Sequence, residues 1–265
     1  MLDDLTTVTF ELRGHVAIVT LNRPKARNAY DDTMQGELSR AWREVRANPD
    51  IWVAVVTGAG TEAFCAGRDV KELAAFQQKG ELVPRYDPRS PTYGDFGAHL
   101  HKFGITKPII AAVNGFAIGG GLNLMLGCDL RIMSETAWLG DLHVNIGQVG
   151  GAGRILRQLP YAVAAELVLA GERIGAARAR EVGLVNKVVP PDRVLPESLA
   201  LAEQVCRMSP LAVARSKEIL QALMAIPAGT DRLEEFYMAQ QRLTEDGREG
   251  PAAFREKRAP RWTGR

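Results

Sequence analysis

Residues Pro108 to Cys128, PIIAAVNGFAIGGGLNLMLGC, carry no charged side chain. A stretch of that length either crosses a bilayer as one helix of about 20 residues or lies inside a globular body. Five glycines and two asparagines argue against a single helix, and Asn114-Gly115 is a turn dipeptide that divides the run. The segment therefore reads as a buried strand, a turn and a helix entered through three glycines. A chain built around such a segment folds as an α/β body and has no need of a membrane.

The rest of the chain agrees with that reading. Residues 8 to 21, VTFELRGHVAIVTL, alternate on both sides of Arg13-Gly14-His15 as a hairpin does. Asp31 or Asp32 can cap a helix that places Met34, Leu38, Ala41, Trp42 and Val45 on one stripe. IWVAVVTG and IIAAV read as buried strands, DLRIMS and AWLG as shorter ones, ILRQLP and YAVAAELVLAG as helices, and GLVNKVV as a closing strand. After Pro190 the strand signal ends, and 193–208, 210–226, 230–244 and 247–258 read as amphipathic helices. Two regions follow, a mixed body over 1–190 and a helical end over 191–265 that packs on the body or on a neighbouring subunit. Residues 77–98, rich in Pro, Gly and charge, read as a long mobile loop over a site.

Composition narrows the function. The 33 basic and 31 acidic residues nearly cancel, which gives no bulk field for nucleic acid, so electrostatic recognition must be local, as in the basic tail 255–265. Cys65, Cys128 and Cys206 are odd in number and lack CxxC spacing, so neither a disulfide framework nor a metal site is expected. With no secretory pattern at the N-terminus, a reducing, cytoplasmic location is expected.

Glycines at a turn into a helix admit close approach of another molecule and leave helical N–H groups unpaired for an anion. Gly58-Ala-Gly-Thr-Glu-Ala63 formally matches a dinucleotide fingerprint, but FCAGRD follows it where a helix should begin. A different pattern covers nearly the whole chain. LNRPKARNA (21–29), AFCAGRDVKEL (63–73), KPIIAAVNGFAIGGGLNLMLGCDLRI (107–132), GAGR (151–154), GERIGAARAREVGLVNKVV (171–189) and AAFREKR (252–258) resemble, in order, the enoyl-CoA hydratase/isomerase family, the crotonase superfamily. The resemblance implies a crotonase-type spiral of β-β-α units with a C-terminal helical oligomerisation region, assembled as trimers or dimers of trimers. It implies an acyl-CoA thioester substrate, with coenzyme A arriving as part of the substrate and no permanently bound cofactor. The two oxyanion-hole amides would be those of Arg68 and Gly120. CoA would be held by Lys25, by the loop Ala66, Gly67, Asp69 and Val70, and by Phe254 and Lys257, the last two reaching a neighbouring subunit's CoA.

The departure lies in the catalytic positions. Where hydratases of the family carry two glutamates, this chain has Asn123 and His143. Two-glutamate hydration needs two titrating groups. An amide orients water or a carbonyl and moves no proton, whereas a neutral imidazole is a competent base, and Asp141 in GDLHVNIG can orient it. The residues thus favour single-base chemistry by His143, namely isomerisation, hydrolysis or decarboxylation. A catalytically silent acyl-CoA-binding protein is the alternative. Asp129 reads as structural, His15, His99 and His101 read as uninvolved, and no spacing selects Glu62, Glu72 or Glu135 as a further acid.

Overall fold

The computed structural model describes residues 2, 4–224 and 230–263. Strands β1 (Val8–Arg13) and β2 (Val16–Leu21) form the expected antiparallel hairpin, with Arg13 opposite Val16. Helix α1 (Asp32–Ala47) is capped by Asp31, whose carboxylate accepts the Met34 N–H at 2.8 Å. The stripe from Met34 to Val45 is buried along its length.

The chain then repeats one unit three times, two strands and a helix. The first is β3 (Val53–Gly58), β4 (Ala63–Cys65) and α2 (Val70–Gln78). The second is β5 (Ile109–Val113), β6 (Phe116–Ile118) and α3 (Gly120–Leu126), which accounts for the whole charge-free run. The third is β7 (Leu130–Ser134), β8 (Trp138–Gly140) and α4 (Ala152–Leu156), followed by α5 (Tyr161–Val168), β9 (Arg173–Gly175), α6 (Ala176–Glu181) and β10 (Lys187–Val189). First strands join a sheet ordered β1-β2-β3-β5-β7-β10 and second strands a smaller sheet ordered β4-β6-β8-β9. Within the three units every pairing between successive turns is parallel. This is an α/β spiral of β-β-α units. All of β3 is buried, because α1 covers one face of the large sheet and α7 (Val194–Cys206) the other.

The fingerprint-like Gly58 to Ala63 segment leads from β3 into strand β4 and not into a helix, so the strand-turn-helix context of a dinucleotide site is absent there. Two boundaries differ from expectation. The helix expected over ILRQLP starts earlier, at Ala152, and stops before Pro160, and the closing strand shrinks to Lys187–Val189. Helix α8 (Pro210–Leu223) is tied to the body by Lys217, which pairs with Asp129 at 2.7 Å and donates to the Lys107 carbonyl at 2.8 Å. Asp129 also accepts the Ile109 N–H at 2.7 Å, a structural role. The final residues of the helix expected over 210–226 lie outside the described residues, as does Arg265 of the basic tail.

Helices α9 (Thr230–Leu243) and α10 (Glu245–Glu256) fold back on the same chain, α9 against α4 and α10 against α2 and the turn Val144–Ile146. The 77–98 segment does lie over the cavity described below, and it is pinned. Arg85 is buried and pairs with Asp32 at 3.0 Å, while the Trp42 indole donates to the Gly97 carbonyl at 2.8 Å.

Candidate active site

The floor of the site is the turn between β6 and α3. Gly119 takes a left-handed φ of 51° and donates to the Gly140 carbonyl at 3.0 Å, so the turn leans on β8. Asn123 N–H closes the first helical bond onto the Gly119 carbonyl at 3.0 Å, and Gly120 N–H meets no acceptor among the described residues. Opposite it runs the segment Ala66 to Asp69. Tyr30 donates to the Gly67 carbonyl at 2.9 Å and accepts from Asp69 N–H at 3.0 Å, which leaves Arg68 N–H outside the ladder. The two segments touch, since a methyl group on Gly67 would stand 3.0 Å from the Gly120 nitrogen. Two unpaired N–H groups on adjoining loops can stabilise charge growing on a carbonyl oxygen. The Arg68 side chain is engaged elsewhere, with Glu72 at 2.5 Å.

Tyr30 is a component that no motif in the chain singles out. Its ring is buried, and its hydroxyl sits so close to Gly120 that any side chain there would collide with it. Burial, ahead of the neighbouring Tyr86, holds the phenol protonated far above its ordinary range, so it stands on the floor as a donor.

The titrating group comes from the end of β8. Leu142 bends the chain with a φ of 55°, and Asp141 and His143 converge, Nδ1 to Oδ1, at 2.9 Å. Asp141 is 1 % exposed and, as a carboxylate, accepts the Nδ1–H. The Nε2 lone pair is then left for the other side. That edge of the ring lies between two glycines, 3.6 Å from a methyl built on Gly119 and 3.1 Å from one on Gly150. Asn123 approaches the same corner, its Nδ2 3.4 Å from a methyl built on Gly151. Two oxygens here, Asn123 Oδ1 and Asp141 Oδ2, are buried without a donor among the described residues. The corner therefore offers one oriented base and acceptor capacity for a water or a hydroxyl.

Around these groups lies a cavity of about 1710 Å³. Its wall includes Arg68, Gly120, Asn123 and His143, and the expected CoA contacts Lys25, Ala66, Gly67, Asp69, Val70 and Phe254. Phe254 thus meets the cavity of its own chain. Lys257, expected at a neighbouring subunit's CoA, is not in this chain's wall; it caps α10 with a left-handed φ of 54°. Arg23 bridges Asp31 at 3.1 Å and Asp69 at 3.0 Å, fastening the loop at the cavity edge. His99, read from the sequence as uninvolved, lines the cavity, and burial followed by the Arg154 cation keeps its proton affinity well below the usual imidazole range. Among the described residues no cluster of His, Cys, Asp and Glu is placed to hold a metal, and no helix is long and apolar enough to cross a membrane.

The profile of the enoyl-CoA hydratase/isomerase family matches residues 11–265. The chain belongs to this family. Similar members include an (E)-benzylidenesuccinyl-CoA hydratase of Thauera aromatica, 39 % identical over 263 residues that cover 97 % of this chain and 99 % of that protein. A carnitinyl-CoA dehydratase of Proteus mirabilis is 37 % identical, covering 96 % and 97 % of the two chains. The crystal structure of a carnitinyl-CoA hydratase from Mycobacterium avium superposes with a TM-score of 0.86 at 40 % identity, covering 98 % of this chain and 99 % of that one. Membership in the enoyl-CoA hydratase/isomerase family makes this an acyl-CoA protein of the crotonase fold, and hydratase names among its relatives support an enzyme.

Proposed function

We propose that the protein moves a proton at the carbon next to the thioester carbonyl of an acyl-CoA, with His143 as its single base. The observation that carries this reading is the Asp141–His143 pair at 2.9 Å beside the unpaired Gly120 N–H. The thioester oxygen accepts from Arg68 and Gly120 N–H, which lowers the cost of the enolate. His143 Nε2 takes the proton from the α-carbon, and its Nδ1–H stays on Asp141. For a 3-enoyl thioester, return of the same proton to the γ-carbon completes double-bond migration, and no second titrating group is needed. CoA lies along Lys25 and the segment from Ala66 to Val70, with Phe254 at the wall.

A second reading of the same machinery rests on Asn123 Oδ1, the buried acceptor without a donor. A water held there would lose its proton to His143 as its oxygen adds to the β-carbon of a 2-enoyl thioester. The imidazolium would then return that proton to the α-carbon. This is a one-base hydration on one face, consistent with the hydratase and dehydratase names among the relatives.

The assembly is proposed to be a homo-trimer or a dimer of trimers. Leu211, Ile219, Leu220 and Met224 of the α8 region are large, apolar and exposed on one chain.

The test is turnover of 3-enoyl- and 2-enoyl-CoA followed by mass and by the conjugated thioester absorbance. Wild type should process at least one of them. His143→Ala should process neither while still binding acyl-CoA, because the oxyanion donors belong to the backbone. Binding without turnover of any thioester by wild type would replace this reading with the silent acyl-CoA binder.

A further inference from the structure

Among the described residues several cations of the cavity wall, Lys25, Lys102, Arg173 and Arg242 among them, have no carboxylate partner, and Arg242 is the one that rests on the Tyr86 ring. Other arginines of the wall have carboxylate partners: Arg23 has Asp31 and Asp69, Arg68 has Glu72, and Arg85 has Asp32 and Asp95. Arg242 lines the cavity from α9, is half-buried, and among the described residues has no carboxylate within ion-pair distance. Its guanidinium instead lies 4.4 Å from the centre of the Tyr86 ring.

Position separates this cation from those expected to meet CoA. Tyr86 also lies 6.0 Å from the Arg68 guanidinium and acts directly on the Tyr30 phenol, whose hydroxyl stands at Gly120, so the Tyr86 side chain borders that floor. Helix α9 packs against α4, which begins beside Asp141 and Asn123. Arg242 therefore faces the part of the cavity that lies past the thioester, where the acyl chain would end. A guanidinium stacked on an aromatic face keeps its in-plane N–H donors, and that edge fits a carboxylate in bidentate fashion. Holding an unpartnered cation partly out of water is costly unless an anion arrives to meet it.

We propose that the acyl pocket selects CoA thioesters whose acyl chain ends in a second carboxylate, bound by Arg242 on the Tyr86 ring. This deepens the acyl-CoA reading above and rests on it. The carboxylate fixes the far end of the chain, so the carbon beside the thioester is held against His143.

Calorimetric titration with succinyl-, glutaryl- and butyryl-CoA tests this on wild type, Arg242→Gln and Arg242→Lys. One of the two carboxylate-bearing thioesters should bind wild type about tenfold or more tighter than butyryl-CoA, the value of one charge-assisted contact. Arg242→Gln should erase that preference while leaving butyryl-CoA affinity within about twofold, and Arg242→Lys should keep part of it. Equal affinities in wild type, or a preference that survives Arg242→Gln, would overturn the proposal. So would an equal loss for all three ligands in Arg242→Gln, since that would assign Arg242 to CoA itself. Failure of every thioester to bind wild type would remove the acyl-CoA reading and this inference with it.

Discussion

Asp141→Asn isolates the claim that a buried carboxylate orients the base. The substitution keeps size and shape at a site only 1 % exposed and removes the charge that accepts the His143 Nδ1–H at 2.9 Å. A hydrogen bond to a charged group contributes about 1.5–3 kcal/mol. At about 1.4 kcal/mol per factor of ten, its loss from the step in which imidazolium forms predicts a fall in kcat of about 10- to 100-fold. If the asparagine turns its NH2 toward Nδ1, the imidazole must carry its proton on Nε2, and the base no longer faces the cavity. The assay pairs steady-state turnover of the processed thioester with calorimetric Kd for butyryl-CoA. Affinity should stay within about threefold, because neither of the backbone N–H groups proposed to hold the thioester oxygen belongs to Asp141. Wild-type kcat in Asp141→Asn, or a loss of affinity as large as the loss of kcat, would refute the orienting role.

Other expectations concern stability. Glu37 accepts five bonds, from the N–H and hydroxyl of both Thr6 and Thr7 and from Val8 N–H, at 2.7–3.0 Å. Burial pushes its carboxyl up, but these donors, led by Thr6 N–H, outweigh it and hold the carboxyl below the usual range. The stabilisation is therefore full above the unfolded carboxyl pKa of about 4.3 and is lost as pH falls through the lower folded value. Glu37→Gln should cost about 3 kcal/mol near neutral pH by chemical denaturation, and the gap from wild type should close on acidification. Lys217→Met, which strands Asp129, should cost about 1–2 kcal/mol and lower Tm by several degrees, and adding Asp129→Asn should recover part of it.

What could be read from the sequence was what is local. The hairpin, the α1 stripe and the strands of the large sheet follow from side-chain periods within single elements, and Asp31 caps its own helix. The glycines announce close backbone approach, and the family pattern places Asn123 and His143 beside them. The pairing of Asp141 with His143 could be suggested by spacing alone, but the bend at Leu142 that makes it could not. Tyr30 and Arg242 were invisible for a different reason. Tyr30 reaches Gly120 through a parallel bridge to Arg68 across 38 residues, and Arg242 reaches Tyr86 only because α9 folds back over the site. Lys257, expected at a neighbouring subunit's CoA, ends helix α10 in this chain.

Solvent deuterium exchange tests the central claim most directly, because it reads proton transfer at carbon without requiring the true substrate. Butyryl-CoA incubated with the protein in D2O and followed by NMR and mass should gain deuterium at the carbon beside the thioester. The exchange should vanish in His143→Ala, while butyryl-CoA still binds with near wild-type affinity. Exchange at the wild-type rate in His143→Ala, or none in a wild type that binds the thioester, would contradict the assignment of His143 as the base.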